Sequence, residues 1–262
     1  SHFDQLAGLR GWQWLFLLEA LPSVLLGVLA FWALPNTYHQ AKWLSAAEKT
    51  LLQQQLQADD SQASQSPRRF REGFFNLKVW MLGGIDFSIL LSAYAMGFWM
   101  PTLIRNAGIS DTFHIGLLTA LPSVAALAGM LLIGASSDKY RERRWHIIVP
   151  FLVGAVAMAS STFFTHNVVA TVALFAVASA AILGAVPVFF SLPATFLTGT
   201  AAATGFALAC SLANIAGLVS NSLMGLAIDI TGSSAGAMWF FAASLLLSCL
   251  LVIALPAKLV NR

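Results

Sequence analysis

Seven stretches of this 262-residue chain are each apolar for about the 20 residues a helix needs to cross the hydrocarbon core of a bilayer. They fall at 12–34, 79–104, 113–136, 147–164, 168–190, 204–228 and 237–255, and none of them contains a Lys or Arg. In hydrocarbon a lipid-exposed backbone must satisfy its own polar groups, which leaves helices or a closed barrel. Unbroken apolar runs of this length predict helices. The expected fold class is an all-α membrane protein with seven transmembrane helices. Only 10% of the residues are charged and 58% are hydrophobic. A soluble domain carries about 25% charged residues, so a soluble globular fold is excluded. Cys210 and Cys249 both lie inside apolar stretches, without His or Cys at ligand spacing. They read as small packing residues, and neither a disulfide, a metal site nor a cofactor is expected.

The basic residues divide by side. Every Lys and Arg except Arg10 and Arg105 falls in one alternate set of loops between the apolar stretches. Positive residues stay on the cytoplasmic side, so the N-terminus is expected outside and the C-terminus inside a plasma (inner) membrane. The net charge of +3 is spread over these loops rather than over one solvated face, which excludes a nucleic-acid partner. The expected organisation is a periplasmic stub at 1–11 without a secretory signal, a first transmembrane helix at 12–34, a cytoplasmic loop at 35–78 and a six-helix bundle at 79–262. In the loop, Ser45 and Glu48 stand at capping-box spacing before Leu51, Leu52 and Leu56, predicting a short amphipathic helix. The Ser-, Gln- and Ala-rich run from Asp59 to Pro67 reads as a flexible tether.

Few residues can carry chemistry. Glu19 and Asp86 are the acids within the predicted spans. An ion at the bilayer centre costs about 2.5–3.5 kcal/mol on insertion scales, which makes each a functional candidate. Asp86 stands about 10 Å into its span at 1.5 Å per residue, with Leu90, Ala93 and Gly97 on its face. It is the first candidate for proton coupling and Glu19 the second; the alternative for both is a structural acid bonded to neighbouring helices. Cys210, Asn214, Gly217, Asn221 and Gly225 recur at steps of four, three, four and four, one face of a helix. Such a stripe either packs against a neighbouring helix or lines a polar cavity, and two amides on it favour the cavity. Tyr94 and Trp99 are candidates to stack on a substrate, or else belt aromatics. Pro22, Pro122 and Pro187 are internal to spans, as kinks or as tolerated prolines. No phosphate-binding Gly-x-x-x-x-Gly-Lys-Ser/Thr loop is present, and no nucleophile or metal constellation supports an enzyme.

The densest basic cluster runs from Gly134 to Arg144, between two apolar stretches. Gly134-x-x-x-Asp138-Lys139, followed by Arg143 and Arg144, resembles the loop motif of the major facilitator superfamily of transporters. Arg141 stands where that motif has its second Gly, and Glu142 replaces the first basic residue of its terminal pair. Gly97-Phe98-Trp99-Met100-Pro101-Thr102 and the run from Leu192 to Asn214 resemble the anion:cation symporters within that superfamily. The resemblance implies two six-helix halves, of which this chain would supply the sixth helix and the C-terminal half, with an N-terminal half as missing partner. It implies alternating-access transport of a small organic anion (a sugar acid, tartrate or an aromatic carboxylate) with protons. Ser211, Asn214 and Asn221 would bind substrate with Tyr94 and Trp99. Gly134, Asp138, Lys139, Arg143 and Arg144 would form a cytoplasmic gate, unless the basic residues only fix topology. A non-transporting fragment of such a transporter is the alternative.

Overall fold

The computed structural model describes residues 6–64, 75–106, 108–165, 167–193 and 199–257. Among the described residues every regular element is helical. The chain divides into two compact units, Ser1–Ser66 and Pro67–Arg262.

The first unit contains α1 (Gly11–Ala33) and α2 (Ala46–Ser64). Helix α1 buries none of its residues and exposes Phe16, Leu25, Leu29 and Phe31, the surface of a helix that is apolar all round. Pro22 lies inside it and Glu19 is exposed. The capping box at the start of α2 forms as its sequence predicts: the Ser45 N–H and hydroxyl donate to Glu48 Oε2 at 2.8 and 2.7 Å, and the Glu48 N–H donates to Ser45 Oγ at 3.3 Å. The Ser45 N–H and hydroxyl hold the Glu48 carboxyl below its ordinary range. The helix continues through Ser64, so Asp59–Ser64 is helical rather than the expected tether. Gln and Ala are good helix formers, and a well-capped start lets them propagate. The remainder of that tether, 65–67, lies outside the described residues.

The second unit contains α3 (Leu77–Asn106), α4 (Thr112–Tyr140), α5 (Trp145–Ser161), α6 (Val168–Gly184), α7 (Val186–Ser191), α8 (Gly199–Thr231) and α9 (Ala235–Ala254). Counting α6 and α7 as one span, five of its spans and α1 are long and apolar enough to cross a membrane. The remaining predicted span, α5, has 17 residues, about 26 Å and the short end of the crossing range. The span predicted at 168–190 breaks at Ala185. Pro187 therefore stands in the first turn of α7, where a missing N–H costs nothing, and not within a helix. Helix α8 runs past its predicted end to include Asp229, which is exposed. Asp111 caps α4 by accepting from the His114 N–H at 3.2 Å and from its imidazole. These bonds hold the Asp111 carboxyl below its ordinary range, so the cap acts above about pH 4 and is lost as pH falls.

Helix packing follows two broad seams, α3 with α8 and α4 with α6, joined by α5 against α6 and α9 and by α9 against α3. Phe151, Phe175, Phe189 and Phe241 fill the centre. The closest approach is between α4 and α6. A Cβ at Gly129 would lie 2.1 Å from the Ala180 carbonyl oxygen, and one at Gly184 2.9 Å from the Gly129 carbonyl carbon. Backbone meets backbone there, so no side-chain rotation makes room. Gly129→Ala is expected to cost at least about 1–3 kcal/mol, the range for overpacking. Gly116→Ala, where a Cβ meets open space within the same helix, is expected to raise stability by about 0.5–1 kcal/mol, the preference of a helix for Ala over Gly. Thermal unfolding of both variants in detergent checks this, and equal melting temperatures would sink the close-contact account.

Candidate functional site

The α3–α8 seam gathers most of the residues that the sequence singles out. The two helices run parallel: Gly83 meets Ala209 and Leu212, Ser220 Oγ donates to the Leu91 carbonyl at 2.8 Å, and Tyr94 lies against Gly217. On α8, Ala209, Ala213, Ala216, Ser220 and Met224 are all 5% exposed or less, and of these Ala209 and Ser220 meet α3 directly. The polar stripe Cys210, Asn214, Gly217, Asn221 and Gly225 is the next row round the helix. Asn214 is exposed, and the other four are half-buried. The neighbouring row is the more deeply buried, and the polar row, with Gly217 against Tyr94, borders the more exposed edge of the seam. Asn214 Nδ2 donates to the Cys210 carbonyl at 2.8 Å, and Asn221 Oδ1 is buried without a partner. Ser211 is exposed.

Asp86 stands on the α3 side of the same seam, within electrostatic range of Cys210. It is 3% exposed and forms no hydrogen bond or ion pair with the described residues. Along its face Leu90 and Ala93 are half-buried and Gly97 exposed, so the face opens from Asp86 outward. Tyr94 joins this group. Trp99 does not, because it packs against the apolar core. Glu19 belongs to the first unit. A separate cavity of about 320 Å³, at the α3 C-terminal end of the unit, is lined by hydroxyls including Ser161, Thr165, Thr171 and Ser234 and contains none of the predicted site residues.

The loop after α4 is a compact knot. Ser137 Oγ donates to the Glu142 carbonyl at 2.8 Å. The Glu142 carboxylate accepts from the Trp145 N–H at 2.9 and 3.0 Å and bonds His146 Nδ1 at 2.9 Å. His146 Nε2 bonds Ser136 Oγ at 2.9 Å, which ties α5 back to α4. Arg144 donates to the Ile253 carbonyl on α9. Sequence reading missed this network; its signal was the Glu142–His146 spacing of four with a serine on the preceding helix. Asp138 is exposed, and Ser137, Asp138, Arg141 and Arg143 line a recess of about 340 Å³. Lys139 lies 5.7 Å over the Tyr140 ring. A Cβ at Gly134 would meet nothing within 4 Å.

The sequence profile of the Major Facilitator Superfamily matches residues 5–220. The chain belongs to the major facilitator superfamily. It is similar to NicT of Pseudomonas putida, described as a candidate metabolite transport protein, with 77% identity over 262 residues, all of this chain and 60% of NicT. It is 35% identical over 248 residues to a candidate tartrate transporter of Agrobacterium vitis, covering 95% of this chain and 57% of that protein. It is 34% identical over 259 residues to a quinolone resistance transporter of Acinetobacter baumannii, covering 98% of this chain and 59% of that protein. The chain thus spans less than two thirds of the length of these relatives. It is a multi-pass membrane protein, and its apolar helices are consistent with the inner membrane.

Membership gives the loop's departures from the superfamily motif a physical meaning. Arg141 caps α4 in the left-handed region, at φ 51° and ψ 35°. Glycine is the residue that adopts this conformation without strain, and glycine is what the motif carries there. Glu142, in place of a basic residue, puts a carboxylate on the first N–H of α5, that of Trp145, where the helix dipole favours it. Arg141→Gly is expected to stabilise the protein by about 1 kcal/mol, the low end of the left-handed penalty for an L-residue. Arg141→Ala removes the same charge and keeps the strain, so it leaves stability unchanged. Thermal unfolding in detergent separates the two; equal effects would assign the gain to charge and refute the strain.

Proposed function

We propose that the chain forms most of a secondary transporter that moves a small organic anion across the inner membrane with protons by alternating access. The observation that carries this reading is Asp86: a carboxyl 3% exposed, without a partner among the described residues, at the buried end of a face that opens outward. An acid with no counter-ion inside an apolar bundle is expensive to keep for structure alone, but it can take a proton on one side and release it on the other. Asn214, Ser211, Asn221 and Tyr94 contact the substrate at the open edge of the α3–α8 seam. The A. vitis relative named for tartrate supports the organic-anion class. None of the predicted spans contains Lys or Arg, so the substrate carboxylate pairs with a cation from a further half, in the length that the relatives have beyond the match.

The charge asymmetry supports an outside N-terminus and a cytoplasmic C-terminus. The loop from Gly134 to Arg144 is then the cytoplasmic gate. Gly134 keeps a surface without a side chain for close approach of the other half, and Asp138 pairs across the gap with Lys139, Arg143 and Arg144 arrayed beside it. Uptake by the complete transporter in proteoliposomes tests both assignments. Asp86→Asn is expected to abolish proton-driven accumulation while exchange across the membrane persists; undiminished accumulation would remove Asp86 from coupling. Asp138→Asn is expected to cut uptake strongly and favour the inward-open state, with membrane insertion unchanged. Normal uptake with an unaltered accessibility ratio would reduce the loop to a topological signal.

A further inference from the structure

The cavity of about 320 Å³ at the α3 C-terminal end of the bundle holds none of the residues assigned above to substrate, proton or gate. Three of the hydroxyls that line it have already spent their protons. Ser161 Oγ donates to the Met158 carbonyl at 2.6 Å, Thr162 Oγ1 to the Ala159 carbonyl at 2.7 Å and Thr171 Oγ1 to the Phe164 carbonyl at 3.0 Å. A hydroxyl whose proton is committed has only lone pairs left to offer. Asn106 is exposed at the rim. Among the described residues that line the cavity there is no acid, Lys, Arg or His.

Helix ends set the sign of the field in this space. Helix α3 ends at Asn106, α5 at Ser161 and α8 at Thr231, and the last turn of each lines the cavity, through Asn106, Ser161 and Ile228. The C-terminal end of a helix carries about half a negative charge. The starts of α6 and α9 also reach the cavity, but each has an N–H answered by its own chain. Asn167 Oδ1 accepts from the Ala170 N–H at 3.1 Å, and Ser233 Oγ accepts from the Ala235 N–H at 3.2 Å. Three helix C-termini and three proton-spent hydroxyls therefore share one space, which repels an anion and attracts a cation. Ca²⁺ and Mg²⁺ are held through carboxylates. None lines this space, so it suits a single positive charge. Carbonyl oxygens and helix C-terminal ends are also what secondary transporters turn toward Na⁺.

We infer that this cavity binds a small monovalent metal cation, with Ser161, Thr162 and Thr171 as oxygen ligands and Asn106 at the entrance. At about 30 Å³ per water the space has room for roughly ten waters, so the ion keeps part of its hydration shell. The charge asymmetry puts this end of the bundle outside, in contact with the external medium. The lining comes from α3, α5, α6, α8 and α9, so a bound ion ties five helix ends together. The site is separate from Asp86 and does not depend on proton coupling there.

The test is binding of radiolabelled Na⁺ to the purified complete transporter in detergent, followed by scintillation proximity at constant ionic strength. Saturable binding is expected, displaced by unlabelled Na⁺ and not by N-methyl-D-glucamine, which is too large to enter. Thr171→Val and Thr162→Val keep the side-chain shape and remove one oxygen each. Either is expected to raise the half-saturating Na⁺ concentration about tenfold, the effect of losing one contact to a charged group. Asn106→Lys places an ammonium at the entrance and is expected to abolish binding. Asn106 is exposed, so this variant keeps the packing and decides the question if the valine variants do not fold. The inference is overturned by the absence of saturable binding, by equal displacement with N-methyl-D-glucamine, or by an affinity that these variants leave unmoved. Binding lost in Asp86→Asn and kept in the cavity variants would place the ion at the coupling acid and overturn it as well.

Discussion

Close backbone approach holds this bundle, because lipid supplies no hydrophobic drive between helices and association depends on van der Waals contact and interhelical hydrogen bonds. The contact of Gly129 with Ala180 and Gly184 is the tightest instance, and it fixes α4 against α6 and the break that follows at Ala185. The other broad seam, α3 with α8, is its counterpart. Exchanging α3 with α6, α4 with α8 and α5 with α9 maps the α3–α8 seam onto α6–α4 and α5–α6 onto α9–α3, and returns α5–α9 and α3–α6 onto themselves. This is the signature of two inverted three-helix repeats. Three of these seams, α3–α8, α5–α9 and α3–α6, are also tied by a polar contact: Ser220 to Leu91, Cys249 to Ile148 and Ser179 to Met96.

That architecture decides where a site can lie. A seam closed by Gly129 has no room for a ligand. The α3–α8 seam is less tight at Gly83, where a Cβ would meet Leu212 at 3.0 Å, and at Gly217 it holds an aromatic side chain; its edge passes from packed alanines to exposed polar residues within one row of the helix surface. Asp86, Tyr94, Asn214 and Asn221 fall along this one edge because α3 and α8 run parallel. Residues at matching heights on two parallel helices stay at matching heights, so a short polar stripe on each becomes one surface.

Much of this was legible in the sequence, and the limits were physical. Span positions followed from hydropathy, and the start of α2 from the capping box at Ser45. The extension of α2 through Ser64 was hidden because Ser and Asp suggest a loop, whereas an established helix propagates through them. The break at Ala185 left only Pro187 as its mark, and a proline inside an apolar run signals a kink or a new first turn equally. The stripe through Cys210 and Asn214 was visible as a periodicity. Periodicity cannot say which of two adjacent rows meets a neighbour, and the buried row 209, 213, 216, 220 and 224 has the same step pattern. Trp99 and Tyr94 looked alike as aromatics. Five residues apart, they point about 140° away from each other on a helix, and only one reaches the seam edge.

The loop from Asp138 to His146 shows how charge that looks interchangeable in a sequence is divided by helix ends. Its basic residues count equally toward topology, yet Arg144 is committed to a carbonyl at the C-terminal end of α9, where a cation complements the helix dipole. Glu142 is committed to the N-terminus of α5 and to His146, which bonds Ser136 on α4 in turn. Three helix ends are thereby clamped within one unit by side chains that also carry the charge signature. Asp138, whose side chain forms no hydrogen bond or ion pair with the described residues, remains exposed at the mouth of an arginine-lined recess. The division of labour follows from the departure at Glu142: an acid holds the start of α5, and the motif aspartate takes no part in that cap.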